Sequence, residues 1–180
     1  LERGKQMLRE VISRDYNRPS VVSWSLHNEC ETQEQGVYEA TEDLAAVARN
    51  ADGSRLTTYA SNNAFEGEAD ICYDLVDYAS VNAYYGWYEE MDDCEAFLRE
   101  EVIPAGGERP VVLSEFGGGS VYGDRTLERR RWSEGYQADL LVEIIEAVES
   151  IDEMAGFWTF DFCDYRVGPR RFESRPKNQN

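Results

Sequence analysis

The stretch RPSVVSWSLHNE, from Arg18 to Glu29, decides how the rest of the chain can be arranged. Its middle, Val21 to Leu26, is a short apolar run rich in β-branched and aromatic residues, a pattern typical of a buried strand. Polar side chains then arrive together at the carboxyl end of this strand. In a parallel α/β barrel the reacting groups lie at the C-terminal ends of the strands. The stretch therefore predicts a barrel strand that brings the carboxylate of Glu29 to a catalytic rim.

A second stretch, PVVLSEFG from Pro110 to Gly117, has the same pattern. It is a hydrophobic strand that ends in the single carboxylate of Glu115, and glycines that let the chain turn follow it. Two strands that each place a glutamate at one rim are what acid/base and nucleophilic work on a glycosidic bond requires.

Apolar periodicity predicts three more strands and four helices in the remaining sequence. The strands are expected at 56–60, 81–88 and 156–160, and the helices at 2–14, around 44–48, around 97–102 and at 136–148. This strict alternation indicates parallel strands with right-handed crossovers. We expect an α/β fold in which about five βα units form the C-terminal part of a (β/α)₈ TIM barrel. An open doubly wound sheet is the alternative, but the sequence lacks the glycine-rich phosphate loop typical of that fold.

The domain organisation follows from the same count. We expect residues 1–180 to be one partial catalytic barrel domain, with the first strands and any N-terminal β-sandwich outside it, and 161–180 to be an irregular rim segment. Such a part of a barrel has strand edges on both sides of its sheet, so we expect a possible homo-oligomer through those edges. We also expect these 180 residues to be inactive on their own.

The charge of the chain is unusual for a globular protein. Acidic residues number 36 against 18 basic ones, which gives a formal net charge of −18 at pH 7. Such a surface repels nucleic acid and anionic membranes, so we expect neither as a partner. Excess carboxylate is typical of adaptation to high salt, where counterions screen self-repulsion; an ordinary acidic cytosolic protein is the alternative.

The four cysteines form no C-x-x-C pair and the chain has a single histidine, so a zinc site of the usual spacing is not available. We expect no metal and no cofactor, and we interpret the cysteines as small buried hydrophobes. No apolar run approaches the ~20 residues of a membrane span. We expect a cytoplasmic protein, although the chain begins at Leu1 without an initiating Met, which leaves secretion open.

With these residues in view, the sequence resembles glycoside hydrolase family 2, the family of β-galactosidases and β-glucuronidases. The resemblance rests on five segments that occur in family order. They are RDYNRPSVVSWSLHNE (14–29), VNAYYGWY (81–88), PVVLSEFG (110–117), RWSEGYQ (131–137) and the strand around Trp158. The second and fourth look particularly like β-glucuronidases.

The resemblance implies roles for individual residues. Glu29 would be the general acid/base and Glu115 the nucleophile of a retaining mechanism. Asn28 would bind the sugar 2-hydroxyl, Tyr84 would orient the nucleophile, and Trp158 would form the apolar floor of the sugar site. Tyr88 and Trp87 are expected at the pocket entrance, with a purely structural role as the alternative for both.

Two features depart from the family pattern. His27 occupies a position that is usually small, and it either supports Glu29 or is a tolerated change. The segment Asp164 to Arg166 resembles the D-F/Y-R segment after the last strand, but at a longer spacing from Trp158. The sequence ends at Lys177 to Asn180, where glucuronidases carry the Asn-x-Lys-Gly stretch that reads the uronate carboxylate, so the sugar is not decided.

The resemblance implies an O-glycosyl hydrolase that acts on a carbohydrate substrate, namely a retaining exo-β-glycosidase for terminal β-glucuronides or β-galactosides. Two alternatives remain open. One is a non-catalytic carbohydrate-binding or scaffold barrel fragment, and the other is an endo-glycanase of the same clan.

Overall fold

The computed structural model describes residues 1–63, 70–88 and 93–163. These residues form five strands and the helices that connect and flank them. The strands are β1 (Ser23–Asn28), β2 (Leu56–Ser61), β3 (Ala79–Asn82), β4 (Val111–Glu115) and β5 (Met154–Phe157). The helices are α1 (Glu2–Asp15), α2 (Gln35–Ala51), α3 (Cys94–Phe97), α4 (Ile103–Ala105) and α5 (Glu134–Glu149), with a 3₁₀ turn at Tyr73–Leu75 and a π-helical turn at Leu98–Val102 between α3 and α4.

The five strands form one parallel sheet in the order β1-β2-β3-β4-β5. This order follows the chain, as it does around a (β/α)₈ barrel, whereas a doubly wound sheet reverses its order at a switch point. The predicted barrel architecture is thereby confirmed over the doubly wound alternative.

Strand alternation gives the sheet two different faces. Trp24, Leu26 and Leu113 are buried on the outer face, in one core with Ile12 of α1 and Ile144 of α5. The opposite, inner face is mostly polar, and its residues bond across strands: the Thr58 hydroxyl lies 2.8 Å from that of Ser80, and the Ser23 hydroxyl lies 2.6 Å from that of Tyr78. The helices thus cover the outside, and the inner face belongs to the barrel interior.

Three strands differ from their predicted bounds by two residues or more. β5 covers Met154–Phe157 and not 156–160, and β3 begins at Ala79 and not at 81. β1 begins two residues later than predicted, because Val21 donates its N–H to Arg18 in a turn and Val22 is exposed. β3 stops at Asn82 instead of continuing to Tyr88, because residues 84–88 form a turn in which the N–H groups of Trp87 and Tyr88 bond to the carbonyl of Tyr84. This turn makes the aromatic cluster part of the rim.

Helix α3 begins at the predicted aspartate cap, since the Asp93 carboxylate accepts the N–H of Ala96 at 2.9 Å. Among the described residues, no helix is long and apolar enough to cross a membrane.

Candidate active site

Strand β1 places Asn28 and Glu29 at the rim through a bulge. Ser25 pairs with Thr58 and Asn28 with Ala60, so three steps along β1 match two along β2. The extra residue turns Asn28 toward β3. Glu29 follows with a φ of 49°, in the left-handed region that residues with a Cβ rarely adopt, and its N–H bonds to the carbonyl of Ala60 at 2.9 Å. Strained backbone of this kind is common at functional sites.

Asn82, the last residue of β3, connects the polar groups at the rim. Its side-chain amide donates to Asn28 Oδ1 at 3.2 Å and to Glu29 Oε1 at 3.0 Å. Its carbonyl oxygen accepts the hydroxyl of Ser114 at 2.7 Å. Both amide hydrogens are therefore used, and Asn82 itself is buried. The Glu29 carboxyl is held through one oxygen by a neutral donor, and it can accept this hydrogen bond both as a carboxylate and as the protonated acid.

Glu115 ends β4 directly beside this group, because Asn82 and Glu115 are register partners. The hydroxyl of Tyr84 donates to Glu115 Oε2 at 2.7 Å. Burial and the neighbouring Glu115 carboxylate raise the pKa of Tyr84 well above its usual value, so the phenol keeps its proton and remains a donor at any working pH. The Glu115 side chain is thus fixed through one oxygen at the same rim as Glu29.

Aromatic side chains surround Tyr84. The Tyr88 ring lies 5.3 Å from it and is largely exposed at the rim. The Phe160 ring lies 6.4 Å from it in an edge-to-face arrangement. Trp158 is half-exposed beyond β5. Its backbone N–H donates to the carbonyl of Leu113, and its ring lies 6.4 Å from that of Tyr78. Because Tyr78 bonds to the inner-face Ser23, Trp158 lies on the inner side, where a sugar floor is expected.

Trp87 has a different environment. It is only 8% exposed, and its ring packs edge-to-face on Trp132 at 4.7 Å. A Cβ at Gly118 would lie 2.5 Å from the Trp87 ring, so only glycine fits there. The contacts of Trp87 are with the loop after β4, which fits the structural alternative better than a pocket-entrance role.

The sequence analysis did not single out Asn82, Ser114 or Phe160 as site residues. Asn82 was detectable, because it is a polar residue within an apolar strand pattern, as Glu115 is. Ser114 and Phe160 are ordinary in sequence and become relevant only through the register and the chain path. The segment 164–166 lies outside the described residues.

No group of three or more histidine, cysteine, aspartate and glutamate side chains in the described part of the chain is arranged to hold a metal ion. Of the four cysteines, Cys72 and Cys94 are buried, Cys30 is half-buried and Cys163 is exposed. The interpretation of the cysteines as buried hydrophobes therefore holds for two of them.

Comparisons with known proteins identify the relatives of this chain. The chain is 30% identical over 188 residues to the β-glucuronidase of Felis catus and 27% identical over 170 residues to that of Streptococcus agalactiae, spanning 28% of each relative's length. Among solved structures it resembles the β-galacturonidase of Eisenbergiella tayi bound to galacturonate (TM-score 0.84, 32% identity, 96% of this chain and 31% of that one).

It also resembles the β-glucuronidase of Ruminococcus gnavus in complex with D-glucuronic acid (TM-score 0.81, 32% identity, 93% of this chain and 31% of that one). Residues 2–173 match the model of the TIM barrel domain of glycosyl hydrolases family 2. With the sequential parallel sheet and two rim glutamates, this match shows that the chain belongs to glycosyl hydrolases family 2, as a part of that family's TIM barrel domain.

Proposed function

We propose that these residues form the catalytic rim of a retaining exo-β-glycosidase that removes a terminal β-linked uronic acid. The observation that carries the proposal is the hydrogen-bonded cluster in which the Asn82 side chain donates to Asn28 and to Glu29. Glu115 lies beside this cluster as the register partner of Asn82. The choice of a uronic acid rests on the relatives, which are β-glucuronidases and a β-galacturonidase. A β-galactoside remains the second substrate class.

In the first step Glu115 attacks the anomeric carbon and forms a glycosyl-enzyme, while Glu29 gives its proton to the leaving oxygen. In the second step Glu29 takes a proton from water, and that water displaces Glu115. Tyr84 holds one Glu115 oxygen throughout, and Asn82 holds one Glu29 oxygen. Asn28, fixed by the same Asn82, is positioned to bind the sugar 2-hydroxyl, a contact that strengthens in the transition state.

The test is a chimera in which residues 2–173 replace the aligned segment of the Ruminococcus gnavus β-glucuronidase. We expect turnover of an aryl β-glucuronide or β-galacturonide that disappears with Glu115→Ala and falls about 10²–10⁴-fold with Glu29→Ala. Added azide should give an inverted glycosyl azide with Glu115→Ala and a retained one with Glu29→Ala. The exposed Glu31, two residues from Glu29, provides the matched control, and Glu31→Ala should keep full activity.

Two outcomes of this experiment would contradict the proposal. A chimera that unfolds at the same temperature as its parent but turns over no aryl glycoside would favour the non-catalytic carbohydrate-binding alternative. Near-native turnover by Glu115→Ala without azide would show that another group is the nucleophile.

A further inference from the structure

His27 is a titratable side chain beside the site that the mechanism above does not use. It lies at the extra position of the β1 bulge, between Leu26 on the outer face and Asn28 at the rim. Its imidazole extends toward α2, where Nε2 lies 2.9 Å from the hydroxyl of Thr41. The side chain at the bulge is therefore hydrogen-bonded to α2, and the two residues after it, Asn28 and Glu29, lie at the site.

The hydrogen-bond directions fix the tautomer of His27. Thr41 is fully buried and donates its only hydroxyl hydrogen to the carbonyl of Val37 at 2.7 Å. Its oxygen can therefore only accept from His27, so Nε2 carries the proton. Nδ1 then carries the lone pair, and within the described residues it is buried without a hydrogen-bond partner. A second proton on Nδ1 would have no acceptor there.

One face of the imidazole is fixed by stacking on an aromatic ring. The His27 ring lies 4.4 Å from the ring of Tyr59, which lies 4.9 Å from that of Tyr73. Tyr59 is fully buried, and its hydroxyl donates to Asp70 at 2.6 Å. The imidazole is thus held on one side by α2 and on the other by β2.

Burial favours the neutral form of the ring. Tyr59, stacked on the ring, and Tyr73 behind it stay uncharged near neutral pH because burial raises the pKa of both phenols, and Asp70 is a carboxylate whose charge acts on the ring. Burial lowers the pKa of His27, and Asp70 opposes that effect only partly.

We propose that His27 is a positioning residue: its Nε2–H tautomer, held between Thr41 and Tyr59, fixes the β1 bulge and thereby the placement of Glu29. The unusual φ of Glu29 needs such support, because a residue with a Cβ adopts it only where its neighbours impose it. This proposal rests on the proposed function, since it assigns His27 to the acid/base carboxyl of that mechanism.

The first test uses leaving groups in the chimera described above. Displacement of the Glu29 carboxyl should slow cleavage of a glycoside with a poor leaving group, because that group must be protonated as it leaves. It should slow cleavage much less when the leaving group is 2,4-dinitrophenolate, which needs no proton. We expect His27→Phe to lower kcat/KM about 10- to 100-fold for a methoxyphenyl glycoside and less than about threefold for the dinitrophenyl glycoside. His27→Gln, whose amide can still donate to Thr41, should restore most of the loss.

Thr41 provides an independent second variant in case His27→Phe does not fold. Thr41→Val removes the acceptor and should reproduce the leaving-group dependence, Thr41→Ser should not, and the double variant with His27→Phe should be no worse than either single one. In the His27 enzyme, activity on the methoxyphenyl glycoside should fall when the ring takes up a second proton. This requires a pH below the ordinary imidazole value of about 6.5, because burial lowers the pKa of His27. This loss should be missing in His27→Gln.

The tautomer itself is measured without activity. His27 is the only histidine of the 180 residues, so ¹⁵N-histidine labelling of this chain gives one pair of imidazole nitrogens. We expect a protonated Nε2 and an unprotonated Nδ1 at pH 7; an Nδ1–H tautomer or a doubly protonated ring would overturn the proposal. An equal loss of kcat/KM on the methoxyphenyl and dinitrophenyl glycosides in His27→Phe would also overturn it. If the unaltered chimera hydrolyses neither glycoside, the proposed function fails, and the ¹⁵N spectrum still decides whether His27 is held as proposed.

Discussion

At the scale of single residues, Asn82 is the junction of the site. It uses both amide hydrogens on Asn28 and Glu29 and its carbonyl on Ser114. A side chain held by three hydrogen bonds to three different residues has one orientation, and it fixes the orientation of the groups it bonds. The relative placement of the Glu29 carboxyl and the Asn28 carboxamide is therefore set by the end of β3.

We predict that Asn82→Ala lowers kcat of the chimera about 10- to 100-fold, since a hydrogen bond to a charged group contributes about 1.5–3 kcal/mol. Ser114→Ala, which removes only the support behind Asn82, should cost less than about tenfold on the same basis. Steady-state kinetics measure both, with the exposed Asn62→Ala as the control that should leave kcat unchanged. An Asn82→Ala chimera within about threefold of its parent would remove Asn82 from the machinery.

The residues with strong local patterns could be predicted from sequence, and those that depend on register could not. Glu29 and Glu115 each end an apolar run, so their placement at the C-terminal ends of strands followed from the sequence alone. Ser114 reaches Asn82 because the register shifts between Val81 and Asn82, and sequence does not reveal such a shift. The roles assigned to Asn28, Tyr84, Tyr88, Trp87 and Trp158 stay predictions.

At the scale of elements, one ion pair joins the chain segments at the end of the sheet opposite Glu29 and Glu115. Asp52, which follows α2, accepts the indole N–H of Trp24 at 3.0 Å and pairs with Arg55 at 2.5 Å. Arg55 in turn donates to the carbonyls of Tyr16 and Val21, in the connection between α1 and β1. One carboxylate and one guanidinium therefore fasten the starts of β1 and β2 to each other.

We predict that this pair makes stability depend on acid pH. Hydrogen bonds from Ser54, Arg55 and Trp24 hold the pKa of Asp52 well below its ordinary value of 3.8. The folded carboxylate thus contributes its full stability above that value and loses it as the pH falls further, because the unfolded chain binds the proton more readily. Asp52→Asn should lower Tm at pH 7, and the difference from the parent chain should shrink below about pH 4.

Thermal unfolding between pH 3 and pH 7 tests this, with the exposed Asp152→Asn as the control that should behave like the parent chain. A difference between Asp52→Asn and the parent that stays constant with pH would contradict the assignment. The sequence did not indicate this ion pair, because the pattern around Asp52 predicts only a turn that ends a helix.

At the scale of the whole molecule, charge and architecture act together. The 180 residues carry a net charge of −18, and the ion pairs of the described residues lie mostly at the surface, where each contributes little. These ion pairs therefore offset only a small part of the repulsion among the carboxylates. High salt screens that repulsion, since the Debye length falls from about 10 Å at 0.1 M to about 3 Å at 1 M.

We predict that Tm rises by about 5 °C or more between 0.1 M and 2 M KCl, which corresponds to roughly 2 kcal/mol for a chain of this size. A matched variant with four exposed glutamates of the helix layer changed to glutamine should show a smaller rise. The four are Glu100, Glu101, Glu146 and Glu149. A flat or falling Tm in the parent chain would remove adaptation to salt as the explanation for its composition.

The contact between Trp87 and Trp132 has a consequence of a different kind. Two indoles at 4.7 Å in a near-perpendicular arrangement couple their electronic transitions, so they should produce a paired positive and negative band in the circular dichroism spectrum. One indole belongs to the turn after β3 and the other to the segment before α5, so the paired band exists only while these two parts of the rim are together. The molecule therefore carries an intrinsic optical signal for assembly of the rim that bears Glu29 and Glu115, separate from the signal of its helices.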